Sequence, residues 1–177
     1  MIPGETQIRG ETGAAVSSAD GVPLARLFSA AFTALIDGLH EQLTVRGWPD
    51  VRPGYGYVLL AARGHASSIT TISQALGVTK QAASQVVDAM VGSGYLSREP
   101  DPTDARTKVV LLTERGHQLL AVVEEIYAEL EAGWAEVIGA RSVARIRADL
   151  TRVLLAQHGG VLPELRAFPA GGSARPS

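Results

Sequence analysis

This sequence predicts a mainly α-helical fold that carries one small β-hairpin, and three patterns predict it. Apolar residues recur at three- and four-residue steps near both ends, over Leu24–Leu43 and again over Gly116–Val137. Between these stretches, two short helical segments flank a glycine-containing turn, Gly77-Val78-Thr79. Two short apolar runs, Tyr95–Arg98 and Lys108–Leu112, then bracket a segment rich in proline and acid.

Bulk composition narrows the possibilities. A chain of 177 residues with 46% apolar and 19% charged side chains can bury one ordinary core. It contains no cysteine, which excludes disulfides, thiolate nucleophiles and thiol-based redox sensing. No apolar run approaches the ~20 residues of a membrane span, and the start lacks the order of a signal peptide, so no membrane partner and a cytoplasmic location are expected. Net charge is −2 and the pI about 6.1, which taken alone argues mildly against nucleic acid. Of the 16 basic residues all but Lys80 and Lys108 are arginine, the better bidentate partner for phosphate and guanine.

Residues 1–20, rich in Gly, Ser, Thr and Ala, read as a mobile arm, and the tail 163–177 reads the same way. Pro23 opens a first helix of about six turns, carrying Leu24, Leu27, Phe28, Phe32, Leu35, Leu39 and Leu43 and stopping near Gly47. Prolines at 49 and 53 punctuate the connection to a short helix over Tyr55–Ala62. Ser68 or Thr70 caps the next helix, which runs through Ile72 to Leu76, and Thr79 caps Lys80–Val91. Two helices joined by a three- to four-residue turn form a helix-turn-helix. In its second helix Ala83, Val86, Val87 and Met90 can face inward, leaving Lys80, Gln81, Ser84, Gln85 and Asp88 outside. The strands follow, with Glu99–Arg106 as the expected hairpin tip, a wing directly after a recognition helix. Thr113 caps the last long helix, whose acids Glu124, Glu125, Glu129, Glu131 and Glu136 oppose an arginine-bearing final helix after Gly139. Trp134 lies on the apolar stripe and is expected in the core. The organisation is therefore an N-terminal helix (21–50), a winged helix-turn-helix (51–115) and C-terminal helices (113–158), the long helices serving dimerisation. Their apolar stripes are too extensive for a monomer.

The order of parts over residues 22–156 resembles the MarR family of bacterial transcription regulators. The sharpest correspondence is Gly94-Tyr95-Leu96-Ser97-Arg98, then Asp104-Ala105-Arg106, then Leu111-Leu112-Thr113-Glu114-Arg115-Gly116. The resemblance implies a homodimeric repressor whose recognition helices enter successive major grooves of a pseudo-palindromic double-stranded DNA operator, with wings in the flanking minor grooves. On that basis Arg106 is the expected minor-groove contact and Asp104 the residue that steadies it, against the plainer reading of a surface ion pair. Lys80, Gln81, Ser84 and Gln85 are the candidates for bases and phosphates. Ser68, Thr70 and Thr79 can offer hydroxyls or helix-start amides to phosphates, while Arg98 and Lys108 touch phosphates or brace the wing. Between Thr79 and Arg115 five basic residues meet five acidic ones. That balance keeps a second class open, a winged-helix dimeric interaction module with weak or lost DNA binding.

Family resemblance also implies a small-molecule effector. Phe32, Trp48, Arg52, Tyr55 and Tyr57 can form an aromatic wall with one arginine for a planar carboxylate, against the plainer reading of core packing. No cofactor and no metal is expected, since His40, His65, His117 and His158 are scattered without ligand spacing. No nucleophile elbow, phosphate loop or dinucleotide fingerprint is present, so catalytic residues and an enzyme are not expected.

Overall fold

A computed structural model describes residues 21–101 and 107–163. Six helices and one hairpin run in the order α1 (Leu24–Val45), α2 (Tyr55–Ala61), α3 (Ile69–Leu76), α4 (Lys80–Gly92), β1 (Leu96–Pro100), β2 (Lys108–Leu112), α5 (Glu114–Ile138) and α6 (Ala140–Gln157). Among the described residues no helix is long and apolar enough to cross a membrane. The expected caps form: Ser68 accepts from the Thr71 amide, Thr79 from the Ala82 amide and Thr113 from the Gly116 amide. Gly77 ends α3 in the left-handed conformation, at φ +68°, which turns the chain sharply into α4.

The core sits where α2, α3, α4 and the first half of α5 converge. Val58, Leu59, Ile72, Ala83, Val87, Met90, Leu119 and Ile126 are fully buried there. Leu39 and Leu43 from the end of α1 complete the cluster. Strands β1 and β2 pair antiparallel with Leu96 opposite Leu112 and Pro100 opposite Lys108. The ladder thus takes in Glu99 and Pro100, two residues that the sequence pattern places in the hairpin tip. A proline at the last position of an edge strand lacks only an amide that the ladder need not use. Buried Ser67 adds a single bridge on the other edge, exchanging both backbone hydrogen bonds with Val110 at 2.8 and 2.9 Å.

One close contact sets how the wing meets α5. Gly116 lies so near β1's root that an added Cβ would stand 2.2 Å from the Tyr95 carbonyl oxygen. Thr113 ties the same place: its amide donates to Tyr95 O at 3.1 Å and its hydroxyl to Gly94 O at 2.6 Å. Gly94 supplies the left-handed turn, φ +77°, that aims Tyr95 inward.

The long helices are only half covered. Arg46 at the end of α1 reaches Glu129 at 2.5 Å and Glu125 at 3.7 Å, and Arg63 reaches Glu124 at 2.7 Å. Glu131 pairs with Arg147 across the α5–α6 turn. The acidic stripe of α5 is thus largely a strap onto its neighbours. Toward their free ends the apolar faces are open: Leu24, Leu27, Phe28 and Phe32 on α1, Val137 and Ile138 on α5, and Ile146, Leu150, Val153 and Leu154 on α6 are all exposed. Trp134, expected in the core, lies half-buried outside the buried cluster, because α5 outruns the helices that cover its first half.

Gly116→Ala is expected to destabilise the fold by about 3 kcal/mol, since the Cβ meets backbone that cannot turn aside. Gly133→Ala, where nothing lies within 4 Å, is expected to be neutral or to stabilise by up to about 1 kcal/mol. Urea unfolding of the two variants checks both.

Candidate nucleic-acid interface and effector cavity

The start of α4 stands free of the core. Lys80, Gln81 and Gln85 are exposed and Ser84 is half-buried, while Ala83, Val87 and Met90 on the opposite side are buried. Thr79 takes up the Ala82 amide, and the start of α4 keeps the partial positive charge of the helix dipole. Beside it, a groove between α3, α4 and the wing is lined by Ser68, Thr70, Ser84, Arg98, Thr107 and Lys108. Five residues that the sequence singled out therefore share one concave surface. Gln85 faces the other flank of α4, in a shallow depression with Arg52 and Pro53.

Arg98 is the bridge between helix and wing. From β1 its guanidinium reaches Asp88 at 2.7 Å and donates to the Ser84 hydroxyl at 3.2 Å. Those two residues are one helical turn apart on α4, so one side chain clamps a whole turn. Such an exposed ion pair adds little stability, about 0–1 kcal/mol, and it joins the wing to α4. Asp104 and Arg106 lie outside the described residues. The strands leading to them are closed by the Asp101 amide, which donates to Thr107 O at 2.8 Å.

A second concavity, of about 230 Å³, lies under α1. Phe32, Leu39, His40 and Leu43 form its roof, Val51 to Gly54 one wall, and Gly56, Tyr57, Val123 and Tyr127 its floor. Burial pushes the Tyr57 and Tyr127 phenols above the ordinary tyrosine range, and Tyr57 adds to the effect on Tyr127. Both therefore stay neutral hydrogen-bond donors at physiological pH. Phe32, Arg52 and Tyr57 meet at this cavity, whereas Trp48 and Tyr55 do not. Tyr55 is buried with its ring edge-on to Tyr95 at 6.3 Å, and Trp48 tilts against Tyr95 at 6.0 Å. The Arg115 guanidinium covers both rings, 5.0 Å from Trp48 and 5.1 Å from Tyr95.

Sequence reasoning missed Asp50 and Tyr95 as partners. The fully buried Tyr95 ring directs its hydroxyl to Asp50, donating at 2.8 Å. That bond, ahead of the Ser93 hydroxyl and Arg115, holds the Asp50 carboxyl below the usual carboxylate range. Burial, then Asp50, raises Tyr95. Their separation of 45 residues leaves no local signal that could have joined them. Among the described residues no group of three His, Asp or Glu side chains is placed to hold a metal ion.

The winged-helix segment has a family match. Residues 53–107 fit the sequence profile of the MarR family. Solved structures extend the likeness to the long helices. The reduced form of MarR from E. coli is 25% identical, with a TM-score of 0.65 over 75% of this chain and 96% of that one. A transcriptional regulator from Thermotoga maritima is 20% identical at a TM-score of 0.60, covering 79% and 99%. BldR from Sulfolobus solfataricus is 19% identical at 0.59, covering 78% and 96%. No curated protein matches the chain significantly. The chain has the fold of MarR-family transcriptional regulators.

Because Asp50 titrates lower when folded than unfolded, its bond stabilises the protein above the ordinary carboxylate pKa of about 4, and the contribution is lost as pH falls through the folded value. Tyr95→Phe is expected to cost about 1 kcal/mol at pH 7, and the difference from the parent should shrink on acidification below about pH 4. Chemical unfolding at a series of pH values measures it; a constant difference down to pH 2 contradicts the assignment.

Proposed function

We propose that the chain is a cytoplasmic transcriptional repressor that binds a pseudo-palindromic operator as a homodimer and is released by a small aromatic or phenolic ligand. The observation that carries this reading is the groove between α3, α4 and the wing, where hydroxyls, Lys108 and the Asp88-paired Arg98 collect beside the exposed start of a capped helix. Phosphates are drawn to such a surface by both charge and free amides. With the groove on a phosphate strand, Lys80, Gln81 and Gln85 are presented to base edges of the major groove. Arg106 serves the minor groove, and Asp104 orients it.

The open faces of α1, α5 and α6 support the dimer. A second copy covers exposed leucines, phenylalanines and valines, and it doubles the cations available to DNA. Doubling answers the even charge balance of the 79–115 segment, since each phosphate neutralised counts toward affinity. The cavity supports the ligand: it is apolar, and two neutral phenols and the rim residue Arg52 offer hydrogen-bond donors to a ligand oxygen.

Fluorescence anisotropy with duplex DNA from upstream of the protein's own gene is expected to give affinity of about 10 nM, with Arg106→Ala weakening it at least tenfold. Affinity no better than for random duplex across several salt concentrations would sink the repressor and favour a winged-helix interaction module. Light scattering at micromolar concentration is expected to return the mass of two chains; a single-chain mass removes the two-half-site geometry.

A further inference from the structure

Cavity and wing are joined by one short stretch of chain. Residues 46–54 connect α1 to α2, and their two halves have different neighbours. Val51, Arg52, Pro53 and Gly54 wall the cavity. Trp48 and Asp50 belong instead to the wing root, through the ring contact with Tyr95 and the 2.8 Å bond from its hydroxyl. The Ser93 hydroxyl and Arg115 face the same Asp50 carboxylate. Arg52 and Pro53 also border α4 at Ala82, Gln85 and Val86. The stretch has little internal slack: the Trp48 amide donates to Leu43 O, Val51 to Trp48 O and Tyr55 to Arg52 O, at 2.8, 3.4 and 3.1 Å.

We infer that the Asp50–Tyr95 hydrogen bond passes the state of the cavity to the wing. The inference rests on the reading above, in which the cavity takes the effector and the wing meets DNA. A guest between α1 and residues 51–54 presses that wall outward. Asp50, one residue before the wall, keeps its bond only if Tyr95 follows. Tyr95 immediately precedes β1, and two residues beyond Leu96 the Arg98 clamp holds α4, so displacement at Tyr95 re-aims wing and recognition helix together. The Tyr95 carbonyl is backed by Gly116 and bonded by the Thr113 amide, so movement there reaches the start of α5. Tyr95 and Asp50 are thus positioning residues that need not touch either ligand.

A cavity-filling substitution can stand in for the unidentified guest. Gly56 lines the cavity inside α2, has no unusual φ, and an added Cβ there meets nothing within 4 Å. Gly56→Leu in the full chain is expected to weaken binding of the upstream duplex about tenfold, a typical coupling between sites. In a Tyr95→Phe or Asp50→Ala background the same substitution is expected to change affinity less than about twofold. Amide hydrogen exchange gives a readout that needs no DNA: the Thr113 amide, bonded to Tyr95 O, should exchange faster in Gly56→Leu, but not when either bond partner is also replaced. Asp50→Ala removes only an exposed side chain, so it remains informative if Tyr95→Phe folds poorly. Equal effects of Gly56→Leu in all backgrounds, or a Thr113 amide unmoved in the parent, overturn the inference. If no variant binds DNA, the repressor reading fails separately, and the exchange comparison still decides whether cavity and wing root are linked.

Discussion

The approach of Gly116 to the Tyr95 carbonyl is the constraint on which the rest of the molecule depends. Only a residue without a side chain lets the first turn of α5 sit against the start of β1, because a Cβ would overlap the oxygen. Once that contact is made, Thr113 has a carbonyl for its amide and another for its hydroxyl, and it can still cap α5. The Tyr95 ring is then directed into the core, where it meets Tyr55, Trp48 and Asp50. Wing, α4, interhelix connection and long C-terminal helix all meet at this one residue. The motif residues Gly94, Tyr95, Thr113 and Gly116 are thus chiefly a joint, and residues placed by the joint carry the surface chemistry.

Charge follows the same division. The mean charge of −2 conceals a segregation that the helices impose. Four glutamates of α5 are paired with Arg46, Arg63 and Arg147, which bind the long helices to one another and to the end of α2. These arginines are committed to the scaffold, and Arg115 is committed to the aromatic stack over Trp48 and Tyr95. Arg98 is also spoken for, by Asp88. Lys80 and Lys108 are exposed on the face that carries the groove. A count of charges along the chain therefore misjudges both the scaffold and the face that carries the groove, because pairing across elements removes charges from each.

Much of the fold was legible from local pattern. Ser68, Thr79 and Thr113 mark helix starts because a side-chain oxygen within three residues of a free amide is a short-range matter. Helical spacing marked the buried faces of α4 and of the first half of α5 for the same reason. The cavity was harder. Tyr55 and Tyr57 look like one aromatic wall in the sequence, yet two residues apart on a helix face in opposed directions. Tyr55 turns into the core and Tyr57 into the cavity. Val51, Pro53 and Tyr127 join that cavity from elements whose packing no periodicity reports.

Spacing, capping oxygens and glycines were enough to establish the helices, the hairpin and their order, since each depends on forces acting within about one turn of backbone. Which residues became neighbours across tens of positions was decided by the way those elements packed. Asp50 reads in sequence as one more polar residue in a proline-bounded connection. Folding sets it against a tyrosine hydroxyl 45 residues away, because the buried ring of Tyr95 must bring its polar end to a partner at the core's edge.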